Sequence, residues 1–484
     1  MKLINDILLS FKKEFSAPVF KFFVITTMGL MTRKDDQGIT SIVRELSLEE
    51  KSYYSLLYFH KRAKYDLSDL EETWREIVLE NPLIITIEGY PIFIGDHTKV
   101  SKEAKKQPGV KRQHQESETS SKANKFFGQA FGCAGAVIGN NEKQFCLPLS
   151  MKMHDGLDFL GEWEEEETGK QSKYKNSMNV QMIQQLSETI SATDHGAICP
   201  LDRAFLSCPV LEVTNEHNKK YPDKPLWFVT RAKSNVKAYY PPPERLPGQR
   251  GASKKKGDVV YPFDLFEENA DKFKETKIHI YGKKRKVQYL PIDLRWGQGV
   301  YQELRFVLVN INGATIVLVT NNLELKPISI IQAYASRMKI ECCFREMKQQ
   351  IGAFTHQFWS GDMPKLNRYA KKDAPDPVAS IKCERARKNI TNTVRAIHSF
   401  AFSCCVAMGI LQMLSLELGA SVDWKKVRYL RTYSNNFASE ATIREFLRQQ
   451  IYLQLEKPSQ LPIMQIIQSK RKSINFDDLF EGSA

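Results

Sequence analysis

The chain has 484 residues, of which 42% are hydrophobic and 11% aromatic, so it exceeds one small domain and can bury a sizeable core. A formal charge of +14 points to a polyanionic partner, nucleic acid before an anionic membrane surface. A secretory leader is not indicated: the apolar run from Phe22 to Met31 is short, abuts Lys21 and lacks a clear cleavage site.

Residues 1–85 read as a helical region. Apolar spacing recurs in "ITSIVREL" and in "LSDLEETWREIVL", for which Ser68 is the expected cap. The bases around "HKRAKY" would suit a small DNA-contacting bundle. Near Pro91 the character changes to α/β, and residues 86–233 are expected to form the first part of a layered domain with a mixed sheet. "YPIFIGD" reads as a buried strand ending in Asp96, followed by strands over "KFFGQAFGCAGAVIG" and "KQFCLPLSMKM". The acidic run "EWEEEE" (162–167) is expected to be a solvated loop, and "NSMNVQMIQQLSETI" an amphipathic helix. "HGAICPLDRAFLS" is a second buried strand ending in Asp202, with Asp194 flanking the other end of the run. A helix over about 208–219 and the strand "PLWFVTRAK" follow.

Residues 234–325 read as a β-rich insertion, opened by the Pro/Gly/Lys segment "YYPPPERLPGQRGASKKKG". The sheet domain resumes over 326–375. Residues 376–484 are expected to be helical with a polar tail. The apolar stretch Ala396–Leu416 holds His398, Gln412, several serines and two cysteines, so it reads as a buried helix of a large domain. Nine cysteines, an odd number, suit reduced thiols in the cytoplasm, used for packing. Cys342–Cys343 and Cys404–Cys405 are adjacent and lack the spacing of a zinc knuckle.

The most informative stretch is "YASRMKIECCFREMKQQIG" (334–352). Read as one helix, it places Tyr334, Arg337, Glu341 and Lys348 within an arc of about 60°, beside an apolar arc of Ala333, Ile340, Phe344, Met347 and Ile351. Asp96 and Asp202 at strand ends and Glu341 on a packed helix can converge in space. Converged carboxylates repel unless protonated or bridged by cations, and hard oxygen ligands suit two Mg²⁺ or Mn²⁺ ions. Such a pair activates a water or 3′-hydroxyl against a phosphodiester. Arg337 and Lys348 would then hold phosphates and Tyr334 would donate to one. The basic run Lys99–Arg112, with Lys99 and Lys102, would lie along the DNA backbone. "SKKKG" and "GKKRK" would form a DNA-facing hairpin, and Trp296 is a candidate for stacking on an unpaired base. His356 and Trp359, beyond the helix, are expected to cap and pack.

The spacing Tyr334-x2-Arg337-x3-Glu341-x6-Lys348 resembles the Y-R-E-K signature of DDE insertion-sequence transposases. "GDHTKVSKEAKKQPGVKRQHQ" and "LDRAFLS" resemble that family's first and second aspartate regions. The resemblance spans roughly residues 10–420. It implies a ribonuclease-H-like catalytic domain with a β insertion, flanked by helical N- and C-terminal regions, the first of them DNA-binding. It also implies Asp96, Asp202 and Glu341 as the metal-binding triad, and Tyr334, Arg337 and Lys348 as contacts to the transposon end. The implied activity is Mg²⁺-dependent cleavage at terminal inverted repeats and strand transfer into target DNA. A homodimer or higher assembly on double-stranded DNA would carry it out in a prokaryotic cytoplasm, at the nucleoid and without a membrane. Two alternatives share the fold: an inactive or repurposed DNA-binding relative, and a structure-specific nuclease.

Overall fold

The structure, a computed structural model, describes residues 1–115, 124–244, 252–280, 282–370, 375–432, 437–456 and 458–472. It is a mixed α/β protein. Its central strands are β1 (Phe93–Ser101), β2 (Lys111–His114), β3 (Lys125–Gly139), β4 (Gln144–Met153), β5 (Ala197–Pro200) and β6 (Leu226–Arg231). β3 pairs antiparallel with β1, with β4 and, near its start, with β2. A parallel bridge between Ile92 and Ile198 sets β1 beside β5, which runs parallel to β6. Across the centre the order is therefore β4-β3-β1-β5-β6. β3 occupies an interior place because its residues from Gly128 onward are all buried and, Gln129 apart, small or apolar, without the alternation of a half-solvated strand.

The insertion does not stand apart from this sheet. Its strands β7 (Lys274–Ile280), β8 (Lys283–Trp296), β9 (Gln302–Ile311) and β10 (Ala314–Thr320) form an antiparallel meander. β10 pairs with β6, Leu318 opposite Arg231, so the meander extends the central sheet outward.

The main helices are α1 (Ala17–Thr32), α2 (Lys51–Arg62), α3 (Leu67–Leu79), α4 (Met178–Ser191), α5 (Cys208–Lys220), α6 (Pro327–Ala335), α7 (Met338–Gln349), α8 (Glu384–Leu418) and α9 (Glu440–Leu455). Among the described residues α8 alone is long and apolar enough to cross a membrane, and that apolar window is wholly enclosed by the protein, as a core helix should be. It packs on β4, α1, α2 and α9, so both ends of the chain build one helical layer. Trp74 of α3 lies against Gly409 of α8 and donates its indole N–H to the Pro148 carbonyl at 2.9 Å. Arg33 is buried and donates to the Gly38 and Gly352 carbonyls at 2.8 and 2.9 Å and to the Ile351 carbonyl, which ties the N-terminal helices to the chain just beyond α7.

Several local expectations change. β1 continues to Ser101, so Asp96 lies within a strand and not at its end. The cap of α3 is Asp66, whose carboxylate accepts from the Ser68 amide, because the helix begins two residues earlier than a Ser68 cap would set it, at Leu67. The acidic run is helical over Asp158–Thr168. Phe159 and Trp163 share its buried side, and its glutamates have separate cations: Glu165 meets Lys175 at 2.5 Å, and Glu166 meets Lys382 and Arg387 at 2.9 and 2.7 Å. Packing does not describe every cysteine: Cys342 and Cys383 are exposed. Part of the Pro/Gly/Lys segment (245–251) and of the polar tail (473–484) lies outside the described residues.

Candidate functional site

The stretch around Arg337 is two helices. At the junction the hydrogen bonds tighten by one residue: Ser336 N–H donates to Ala333 O at 3.0 Å and Arg337 N–H to Tyr334 O at 3.1 Å. Tyr334 thus belongs to α6 and is half-buried, while Glu341 and Lys348 belong to α7, whose first residue follows Arg337. The expected apolar arc holds across the break, for Ala333, Ile340, Phe344, Met347 and Ile351 are all buried. That arc seats α7 against β1 and β4 and leaves its charged side facing a cleft.

Three acids, each from a different region of the chain, meet around one guanidinium. Arg337 Nη1 lies 3.4 Å from Asp96 Oδ2 and 3.9 Å from Asp202 Oδ1, and its Nη2 lies 2.6 Å from Glu341 Oε1. The Arg337 side chain is only 13% exposed. Asp96 is carried by β1, and its Oδ1 accepts from the His97 amide at 2.8 Å. Asp202 lies two residues past β5, at the start of a short 3₁₀ turn, Arg203–Phe205. Thr230 of β6 steadies that turn by donating to the Asp202 carbonyl at 2.8 Å. Asp194 is exposed at the opposite end of the same run.

The electrostatics follow from this crowding. Burial pushes the Asp96 carboxyl up to about 7; the His97 amide and Arg337 pull it down, and Asp202 and Glu341 push it up again. Burial works against the Arg337 charge, but Asp96, Tyr334, Glu341 and Asp202 together outweigh it and hold its pKa above the usual value. Arg337 thus supplies the positive charge that three neighbouring carboxylates require.

A cleft of about 320 Å³ opens beside the acids, lined by Asp96, Lys99, His114, Asp202, Phe205 and Lys348, among others. Lys348 Nζ donates to the Lys99 carbonyl at 3.2 Å, which ties α7 to β1 across one wall. His97, a residue that sequence reasoning missed, stacks on Phe205 with centroids 5.9 Å apart and approaches His154 at 3.1 Å. The His154 ring fills the space above Gly132, where a Cβ would come within 2.2 Å of it. An aromatic shelf thus borders the acids, and its sequence signal is the "FGCAG" stretch, where a missing side chain makes room for a ring.

The remaining candidates fall in other places. Lys102 is committed to the fold, since its ammonium donates to the Phe354 and His356 carbonyls. Trp296 ends β8 and borders a separate cleft of about 390 Å³ with Arg203, Lys233, Lys237 and Tyr239. Asp202 and Arg203 are adjacent, so this second cleft begins one residue from the acid cluster. His356 is buried and faces Gln129 at 3.0 Å, as expected of a packing residue. Trp359 is 59% exposed, contrary to the packing expected of it.

Among the described residues, no three Asp, Glu, His or Cys side chains form a ready-made metal site. The donor set nonetheless suits a hard divalent cation. It is three carboxylates, one of them kept partly protonated at neutral pH, already gathered about a positive group. Arg337 holds the position between them.

No protein-family model matches the chain, and neither does any curated protein. Among solved structures, the NurA nuclease from Sulfolobus solfataricus aligns over 65% of this chain and 100% of its own, with 10% identity and a TM-score of 0.20. A similarity that slight carries no argument about fold or activity.

Proposed function

We propose that the chain is a DNA-cutting and DNA-joining enzyme of the DDE insertion-sequence transposase type, with Asp96, Asp202 and Glu341 as its metal-binding acids. The observation that carries this reading is the meeting of those three acids, from residues 96, 202 and 341, around Arg337. The central order β4-β3-β1-β5-β6, with β3 alone antiparallel to its neighbours, supports a ribonuclease-H-like domain, in which acids from β1 and from just beyond β5 sit side by side. Two Mg²⁺ ions held there would activate the attacking oxygen and stabilise the leaving oxygen of a phosphodiester.

The protein's own residues account for the rest. Lys99 and Lys348 line the cleft wall and would grip the backbone of double-stranded DNA, at the element end or at the target. Arg337 neutralises the acids and, standing among them, would hold a phosphate of the bound strand. Tyr334, on the other side of the helix break, would add a hydrogen bond to the same strand. Trp296, in the adjoining basic cleft, would receive a base displaced beside the cut. Both ends must be handled together, so a dimer or larger assembly on DNA is part of the proposal.

Purified protein with Mg²⁺ and DNA carrying the inverted repeats that flank its coding region tests the reading. Nicking no higher than that of Asp96→Ala defeats it, and cleavage without integration into a plasmid reassigns the chain to a nuclease. One observation favours a second reading, a DNA-binding relative without catalysis: Arg337 already satisfies the acids that a metal would need. Mn²⁺ binding followed by electron paramagnetic resonance separates the two, since the non-catalytic relative would bind no more Mn²⁺ than its Asp96→Asn variant.

A further inference from the structure

A second feature of the surface has the chemistry of a nucleic-acid site but lies outside the acid cleft. Residues 354–366 lie along 102–107: Ser360 N–H donates to Lys106 O at 3.1 Å and Leu366 N–H to Lys105 O at 2.7 Å, while Lys102 holds the Phe354 and His356 carbonyls from beneath. Phe358 points inward, 3% exposed, against His356 and Phe400. Its neighbour Trp359 therefore points outward, on a backbone fixed from both sides, with its carbonyl held by Lys61 Nζ at 3.0 Å. Between the two segments is a cleft of about 330 Å³ lined by Ala104, Lys105, Lys106, Gln107, Gln357, Phe358, Trp359 and Lys365. Three lysines and no acid line it. Lys106 also reaches the Gly361 carbonyl at 2.8 Å, within the same wall.

The surface extends along α2. Tyr54, Tyr58 and Lys61 share a helical arc of about 60°, and the two tyrosines are 72% and 57% exposed. Trp359 is held rigidly in solvent beside these lysines, and with Tyr54 and Tyr58 it gives α2 and the adjoining 354–366 segment three large exposed aromatic groups. Aromatic faces among unopposed lysines match a single strand of nucleic acid, whose bases stack while its phosphates take the cations.

We propose that the Trp359 cleft is a second nucleic-acid site, which takes an unpaired base on the indole and the adjoining phosphates on Lys105, Lys106 and Lys365. β1 leads from Asp96 into this segment, so the site lies along the same basic run that borders the acids. The proposal rests on the reading of the protein as a nucleic-acid binder but not on its catalysis.

Fluorescence anisotropy with labelled oligo(dT), in EDTA and over a range of salt, tests it apart from metal chemistry. Trp359→Ala is expected to weaken oligo(dT) binding roughly 5- to 100-fold, and Trp359→Phe to recover most of the loss. Duplex binding should change little. Replacing Lys105, Lys106 and Lys365 by Gln should reduce the slope of log affinity against log salt by about 2. Unchanged oligo(dT) binding by Trp359→Ala, or equal losses on single and double strands, overturns the proposal. So does competition by polyglutamate as effective as that by oligo(dT), which would point to an acidic protein partner. Because oligo(dT) binding is read in EDTA, where no metal chemistry can run, a failure of the catalytic reading leaves this result distinct.

Discussion

Helices α7 and α8 are both rich in apolar residues, yet they serve opposite ends. α7 buries one arc and keeps its charges at a cleft, where they meet acids delivered by β1 and by the turn after β5. α8 is enclosed nearly all round, so its polar groups must find partners inside the protein. Ser399 meets His60 Nδ1 and Tyr65 Oη at 2.8 and 2.6 Å, and His398 Nε2 accepts from the Met153 amide at 3.1 Å. Arg395 donates to the carbonyls of His60, Ala63 and Tyr65. The contrast shows that the polar residues of α7 are gathered with other charged side chains at a cleft, whereas those of α8 are absorbed by partners inside the fold.

The contrast can be broken at several points. The largest effect is expected from Glu341→Gln, which should lower Mg²⁺-dependent DNA cleavage by roughly two orders of magnitude or more. Its melting temperature should stay near that of the parent, because Glu341 is exposed; a large drop in melting would make the residue architectural.

Acid should act through α8. Burial holds His60 and His398 at about 3, so both remain neutral in the folded protein while the unfolded chain takes up protons near 6.5. Their contribution is intact above pH 6.5 and is lost as pH falls toward 3. At pH 5 this amounts to about 2 kcal/mol for each. Asp96, raised to about 7, acts with the opposite sign: its carboxyl stabilises the fold as pH falls below 7. Burial raises Glu71, Asp376 and Glu440 as well, so urea unfolding at pH 7.5 and 5 in an Asp96→Asn background removes one opposing carboxyl, and a loss at pH 5 is expected there.

A smaller effect is expected of Gly409→Ala. The new methyl would lie 2.4 Å from the Trp74 ring, so chemical denaturation should report about 1–3 kcal/mol of destabilisation. Least affected should be Lys348→Ala, with duplex affinity falling by a few-fold and the salt slope by about 1. An unchanged slope would make Lys348 only a tie to Lys99.

Much of this was legible from the residues alone. Strand positions followed from apolar runs bounded by turn residues, and the arc of Ile340, Phe344 and Met347 followed from a period of 3.6. What escaped depended on contacts far away in sequence. The break before Arg337 has no proline or glycine to announce it. "EWEEEE" read as a solvated loop because two of the cations that separate its charges, Lys382 and Arg387, are more than 200 residues away in the chain. Lys102 and Lys105 look alike as letters; only the carbonyls of Phe354 and His356 distinguish a strut from a surface cation. Trp359 was misjudged for a similar reason, since the inward place beside it was already taken by Phe358.

Arg33 gives the assembly a direction in time. Its bond to the Ile351 carbonyl closes a loop of 318 residues, and the layer it belongs to is completed only by α8 and α9, the second ending at Leu455. A ribosome adding roughly 5–20 residues per second will have added Asp96, Asp202 and Glu341 before α8, which packs on the β4 edge of their sheet, is complete. The acids must therefore wait in an unfinished scaffold, and a chain interrupted before Glu384 would carry every residue of the candidate site without the means to hold them together.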